Sequence, residues 1–190
     1  MANKVKYGLS NCYYAVLDET TTPATYGTPA ALPGAVNLSL SQEGDTNKFR
    51  ADNIDYYVSI SNNGYSGDLE LALVPDAFLK NVMGETVNTA SGLQYESADA
   101  KPKPFALMFQ FEGDTTATRH VLYYCKATRP TVASQTTGDT IEPVTETVSI
   151  TATARVITIN SVDVPIVKAK CDETATTTYN AFFSTVQLPT

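Results

Sequence analysis

The chain holds a single histidine, His120, and three widely spaced cysteines, Cys12, Cys125 and Cys171. Imidazole is the commonest general base near neutral pH, so hydrolysis of the Ser-His-Asp kind would have to run through that one residue. His120 stands in RHVLYYC, alternating with Leu122 and Tyr124, where a structural or surface histidine is the better reading. One histidine also excludes multi-histidine metal centres, and no C-x-x-C pair offers a zinc or redox motif. The cysteines read as small buried hydrophobes. Asp52 with Asp55, and Asp68 with Glu70, have the composition for acid and base work or for holding a hard cation. Neither pair has EF-hand spacing or a glycosidase signature, and solvated strand faces and turn caps explain both. Gly64 and Gly67 in NNGYSGD lack the G-x-x-x-x-G-K-[ST] frame of a phosphate cradle. No group of side chains with matched catalytic roles emerges, so no cofactor is expected and an enzyme is the least expected class.

The bulk properties narrow the partners. A formal net charge of −7 argues against a nucleic-acid binder that neutralises phosphates, and no basic cluster is visible. The 43% hydrophobic and 17% charged content fits a folded chain of one domain spanning residues 1–190. The N-terminus lacks the apolar run of a signal peptide, and nowhere do about 18 apolar residues follow one another. Synthesis in a cytoplasm without a membrane span is the expectation.

The elements that would position these side chains are mostly strands. CYYAVL is a short strand, and DETTTPATYGTPAALPG is a loop punctuated by prolines. AVNLSLS places Val36, Leu38 and Leu40 on one face. The polar stretch at about 42–55 is an extended loop, too long for a tight hairpin. YYVSIS and YSGDLELAL then form an antiparallel pair around Asn62, Asn63 and Gly64, with Leu69, Leu71 and Leu73 facing a core and Asp68 and Glu70 facing away. VPDAFLKNVMGE changes to helical spacing, gathering Phe78, Leu79 and Val82 before Gly84 stops it. FALMFQF fits a strand buried on both faces, joined by a turn at Gly113 and Asp114 to RHVLYYCKA. After the loop TRPTVASQTTGDTIEPV, the stretch TETVSITATARVITI alternates Val148, Ile150, Ala152 and Ala154 against threonines and serines. Its phase breaks near Arg155, which predicts a bulge or bend. From about 168 a C-terminal arm or short helix, TYNAFFSTV, needs a docking surface on this chain or a neighbour. Adjacent tyrosines at 13/14, 56/57 and 123/124 must point to opposite faces of their strands.

Four blocks in this order, TYGTPAALPGAVNLSLSQEG, FRADNIDYYVSISNNGYSGDLELALVPDAF, KPKPFALMFQFEGD and ATRHVLYYCKATRP, resemble the major tail proteins of long-tailed bacteriophages with non-contractile tails, in the branch common among phages of Gram-positive hosts. The resemblance implies a mainly β fold: a tail-tube type of sandwich or barrel with one flanking helix, long loops and terminal arms. It implies a structural virion protein, made in the host cytoplasm, whose hexameric rings stack head to tail into the tube that delivers DNA. Tape-measure, tail-terminator and baseplate proteins are the partners implied, with DNA passing through unbound. Within that role the 42–55 segment is the candidate for stacking, anchored by Phe49, Asp52, Asn53 and Tyr56. Asp68 and Glu70 are the candidates for the channel lining, where negative side chains would give phosphates nothing to hold. Two alternatives stay open: the tube protein of a contractile tail or type VI-like injection machine, and a carbohydrate-binding β-sandwich displayed on a virion. The absence of Trp weakens the second.

Overall fold

Apolar residues recur with period two along most of the chain, and the two stretches with helical spacing are short, so strands dominate. A computed structural model describes residues 7–113, 116–136 and 143–189. Its strands are β1 (Leu9–Asp18), β2 (Thr25–Tyr26), β3 (Ala30–Ala31), β4 (Ala35–Glu43), β5 (Thr46–Ala51), β6 (Ile54–Ile60), β7 (Gly64–Leu71), β8 (Thr86–Val87), β9 (Gln94–Tyr95), β10 (Phe105–Phe111), β11 (Arg119–Ala127), β12 (Glu146–Thr153), β13 (Arg155–Ile159), β14 (Val162–Ile166) and β15 (Lys168–Cys171). Two helical pieces complete it: α1 (Asp76–Phe78), which runs on as a π-turn over Leu79–Met83, and α2 (Thr176–Ala181).

The main sheet runs β2-β1-β10-β11-β12-β7-β4, with β3 also on β1 and β15 also on β11. Every ladder in it is antiparallel. β1 and β4 lie far apart in this order yet touch, so the sheet curls around its contents. The alternation predicts a mainly β fold with a flanking helix, and the sandwich-like architecture is the one the resemblance implies. β10 is the clearest case: Phe105, Leu107 and Phe109 enter the core enclosed by the curl, while Ala106 and Met108 enter a second core on the outer face. A strand in the middle of a sheet covered on both sides has no polar face to show, and its sequence has none.

The enclosed core is plugged by the helical segment. Phe78 packs edge-on against Tyr14 and Phe105, with ring centroids 5.0 and 5.5 Å away. The π-turn widens the coil by a residue, so Met83 joins Phe78 and Val82 among the buried side chains. Gly84, at φ +83°, closes it in the left-handed conformation. The outer core is covered by the C-terminal part of the chain. Ile157 of β13 and Phe182, which follows α2, are buried there, and Phe183 stacks on Tyr13 at 4.9 Å. The C-terminal segment therefore docks on its own chain. Of the adjacent tyrosine pairs, 13/14 divides between the two cores, with Tyr14 in the enclosed one and Tyr13 packed against the outer one, whereas Tyr56 and Tyr57 are both exposed.

Several local expectations are overturned. The antiparallel partner of β7 is β4, not β6; β6 pairs with β5. The chain does not reverse at Asn62–Gly64. It reverses at Asp52 and Asn53, whose φ values of +50° and +61° suit the tight hairpin turn that matches strand twist. At Asn62–Gly64 the ladder merely slips by one residue: Ser61 N–H bonds Asp45 O and Asn63 N–H bonds Glu43 O, so β4–β5 and β6–β7 form one long hairpin with a step in it. The segment expected as an extended loop at 42–55 thus carries the end of β4, all of β5 and the start of β6. Val36 does not face the core, because the register slips between Ala35 and Asn37 and leaves it as an outward bulge. Leu73 is 68% exposed, since β7 ends at Leu71 and Val74 is buried in its place. The predicted break near Arg155 is real: β12 stops at Thr153, exposed Ala154 leaves the inward row, and β13 pairs with β14 alone. Asp114, and residues 137–142 of the loop before β12, lie outside the described residues.

Candidate functional site

β5 and β6 pair only with each other. A lone two-stranded ribbon is marginal in water and presents both faces to it. On this one, Phe49, Ile54, Tyr56, Tyr57, Val58 and Ile60 are between 46% and 73% exposed. Phe49 stands directly opposite Tyr57, and Lys48 opposite Val58. The register slips between Phe49 and Arg50, which leaves Tyr56 unpaired as a bulge. The other face carries two ion pairs to one carboxylate, Lys48 Nζ to Asp55 Oδ2 at 2.9 Å and Arg50 Nε to Asp55 Oδ1 at 3.4 Å. Exposed pairs of this kind contribute on the order of 0–1 kcal/mol. They shape the ribbon more than they hold it.

All four residues predicted for stacking lie in this hairpin: Phe49 on β5, Asp52 and Asn53 in the turn, Tyr56 on β6. Sequence reasoning missed Ile54, Tyr57, Val58 and Ile60. The signal was IDYYVSI, a strand apolar at both parities, which ordinarily means burial on both sides; here nothing among the described residues covers either.

Asp68 and Glu70 stand on the outer face of β7, away from the enclosed core. Asp68 is flanked across the ladders by Ser39 and Ser149, and Glu70 by Asn37 and Thr147. Each carboxylate accepts a hydroxyl: Ser149 Oγ donates to Asp68 Oδ1 at 2.7 Å, and Thr145 Oγ1 to Glu70 Oε1 at 2.5 Å. Ser66 Oγ donates to Glu43 in the same manner. β4, β7 and β12 contain neither lysine nor arginine, so their shared outer face is one of hydroxyls, amides and carboxylates. Lys126 on β11, opposite Thr151, is the cation that register places at its border.

Other reactive groups are structural. His120 stacks on Phe109 at 5.3 Å and meets Phe111 edge-on at 5.5 Å. Among the described residues no cluster of His, Cys, Asp and Glu is arranged to hold a metal ion. Burial pushes the thiols of Cys12 and Cys125 up to about 12 and raises that of Cys171 as well. The thiolate is the reactive form, so an aromatic disulfide reagent at pH 8 is expected to label native Cys12 and Cys125 about a thousandfold more slowly than unfolded chain. Fast labelling of either in the native state would contradict the packing of the enclosed core, to which both belong. No helix among the described residues is long and apolar enough to cross a membrane.

What stands out among the described residues is a pair of surfaces, the uncovered hairpin and the carboxylate-bearing sheet face. A family described as phage tail tube protein matches residues 2–189. The chain belongs to the phage tail tube proteins. No curated protein matches it. As a tail tube protein it is a structural component of the virion tail, and self-assembly into a tube gives its uncovered hairpin and its open sheet edge their setting.

Proposed function

We propose that this tail tube protein closes into hexameric rings, that β5 and β6 carry the contact between successive rings, and that the outer face of β4, β7 and β12 lines the bore through which DNA reaches the host. The observation that carries the reading is the hairpin: six large apolar side chains stand uncovered on a ribbon that projects from a body with two filled cores of its own. Exposed apolar area of this kind marks a contact with another molecule. Ring closure has support in the same topology. β4 ends the sheet, with β7 on one side only, and a neighbour's strand at that edge removes the hazard of an unpaired ladder. The tube on this reading is of the non-contractile kind, meeting tape-measure, terminator and baseplate proteins at its ends.

The test is the double substitution Phe49→Ser/Tyr57→Ser, which removes the facing aromatic pair without touching either core. Purified chain is concentrated and followed by negative-stain microscopy and sedimentation. Tubes are expected from the parent, and rings or free subunits from the variant, with unchanged thermal stability. Tubes of normal length from the variant would remove the stacking assignment.

A further inference from the structure

The strand registers fix which parts of the chain lie at the end of the sheet away from the hairpin. At the hairpin end Gly64 stands opposite Glu43 and Tyr65 opposite Ala152; at the other end Leu71 stands opposite both Ala35 and Glu146. The eight residues of β7 separate the two ends by roughly 25 Å. Beyond Leu71 the chain passes through residues 72–104 to β10. Beyond Ala127 it follows β12 outward, with Thr128 N–H bonding Ser149 O at 2.9 Å and Thr131 N–H bonding Thr147 O at 3.3 Å. These two loops are fastened to each other and to β12: Arg129 forms an ion pair with Glu96, and Val74 N–H donates to Glu146 Oε2 at 2.7 Å.

Six large apolar side chains are exposed on this loop face: Leu73, Val87, Leu93, Tyr95, Val132 and Val144. Val132 is 98% exposed. Of the seventeen large apolar side chains exposed among the described residues, twelve lie either here or on the hairpin. Single exposed apolar residues are ordinary on a protein surface, but their concentration at two opposite ends marks two contact surfaces. Two hairpins meeting about a two-fold axis would close as a pair and stop growth, whereas a contact between different patches at opposite ends repeats without closing. A tube requires the second kind. The loop face has the matching apolar chemistry at the required end.

We propose that the β5–β6 hairpin of a copy in one ring packs on the loop face around Leu73, Tyr95 and Val132 of a copy in the next ring. The proposal rests on the reading of the hairpin as the stacking element. Leu73→Ser/Val132→Ser removes apolar surface from the receiving face and touches neither core. It is expected to melt as the parent does and to raise the concentration needed for tube growth about tenfold or more. A second measurement maps the contact directly. A benzophenone amino acid in place of Tyr57 keeps the aromatic surface, and on irradiation of assembled tubes its cross-links, read by mass spectrometry, are expected within residues 72–96 or 128–136 of another copy. If the serine variant proves unstable, the cross-link map alone decides. Growth of the stable serine variant at the parental concentration, or cross-links confined to another hairpin or to the main sheet, overturns the assignment of the receiving face. If Phe49→Ser/Tyr57→Ser abolishes tubes while the cross-links fall elsewhere, the hairpin keeps its role and only the face it meets is wrong; if that variant stacks normally, the hairpin reading falls first.

Discussion

Gly64→Ala is expected to leave little folded protein. Gly64 opens β7 with φ +108°, a conformation that L side chains rarely adopt, and a Cβ there would lie 2.0 Å from the Ala152 carbonyl oxygen and 3.2 Å from Thr153 Cα. Both are backbone atoms of β12, so relief requires β12 to move, not a side chain to turn. β12 carries Val148, Ile150 and Ala152, all but fully buried, and moving it opens the enclosed core. Backbone strain at such a position costs about 1–3 kcal/mol, and the displaced strand brings the loss to about 4 kcal/mol or more. For a chain of this size the melting temperature should fall by about 10 °C or more, with most expressed material insoluble. Gly92→Ala is the control: its φ is +70° but no atom lies within 4 Å of the added carbon, so only the conformational cost of about 1 kcal/mol applies. Equal melting of the two variants would show that β7 and β12 do not approach as closely as described.

That close approach explains part of what the sequence concealed. Gly64 reads as a turn residue, whereas it lets β12 come near; Gly67, inside the predicted strand, has a Cβ position 1.9 Å from Ser39 O and lets β4 come near from the other side. Local pattern sufficed where one strand's alternation met a single environment: β10 with its two buried faces, the inward row Val148, Ile150 and Ala152, and Phe78 with Val82. It failed where the outcome depended on a partner distant in the chain. Pairing YYVSIS with YSGDLELAL is the shorter loop closure, but the Asp52–Asn53 turn and the sheet position of β4 outcompete it. The exposed position of Phe49, Asp52, Asn53 and Tyr56 was legible because a polar stretch with isolated aromatics is poor core material. That of Tyr57, Val58 and Ile60 was not, because a strand apolar on both faces normally predicts cover.

The lining proposed for the bore leads to an effect on genome delivery. Asp68→Lys/Glu70→Lys is expected to slow DNA ejection about tenfold or more while tails of normal length assemble. The outer face of β4, β7 and β12 holds no cation, and the carboxylates at 68 and 70 accept hydroxyls instead of forming ion pairs. A phosphate chain moving along it finds repulsion or neutrality and no fixed counter-charge. Two lysines per subunit, repeated around every ring, convert that face into a ladder of phosphate sites, each of which must be left before the DNA advances. Counterion competition weakens such sites, so raising the salt should recover part of the rate. Asp68→Asn/Glu70→Gln separates the two physical accounts. If absence of positive charge is what matters, the neutral variant ejects at nearly the parental rate; if repulsion is required, it slows as well. Both residues lie on a solvent face and neither contacts a core, so assembly and stability should change little in either variant. Ejection at the parental rate from fully assembled lysine particles would move this face out of the bore and leave the hairpin assignment untouched.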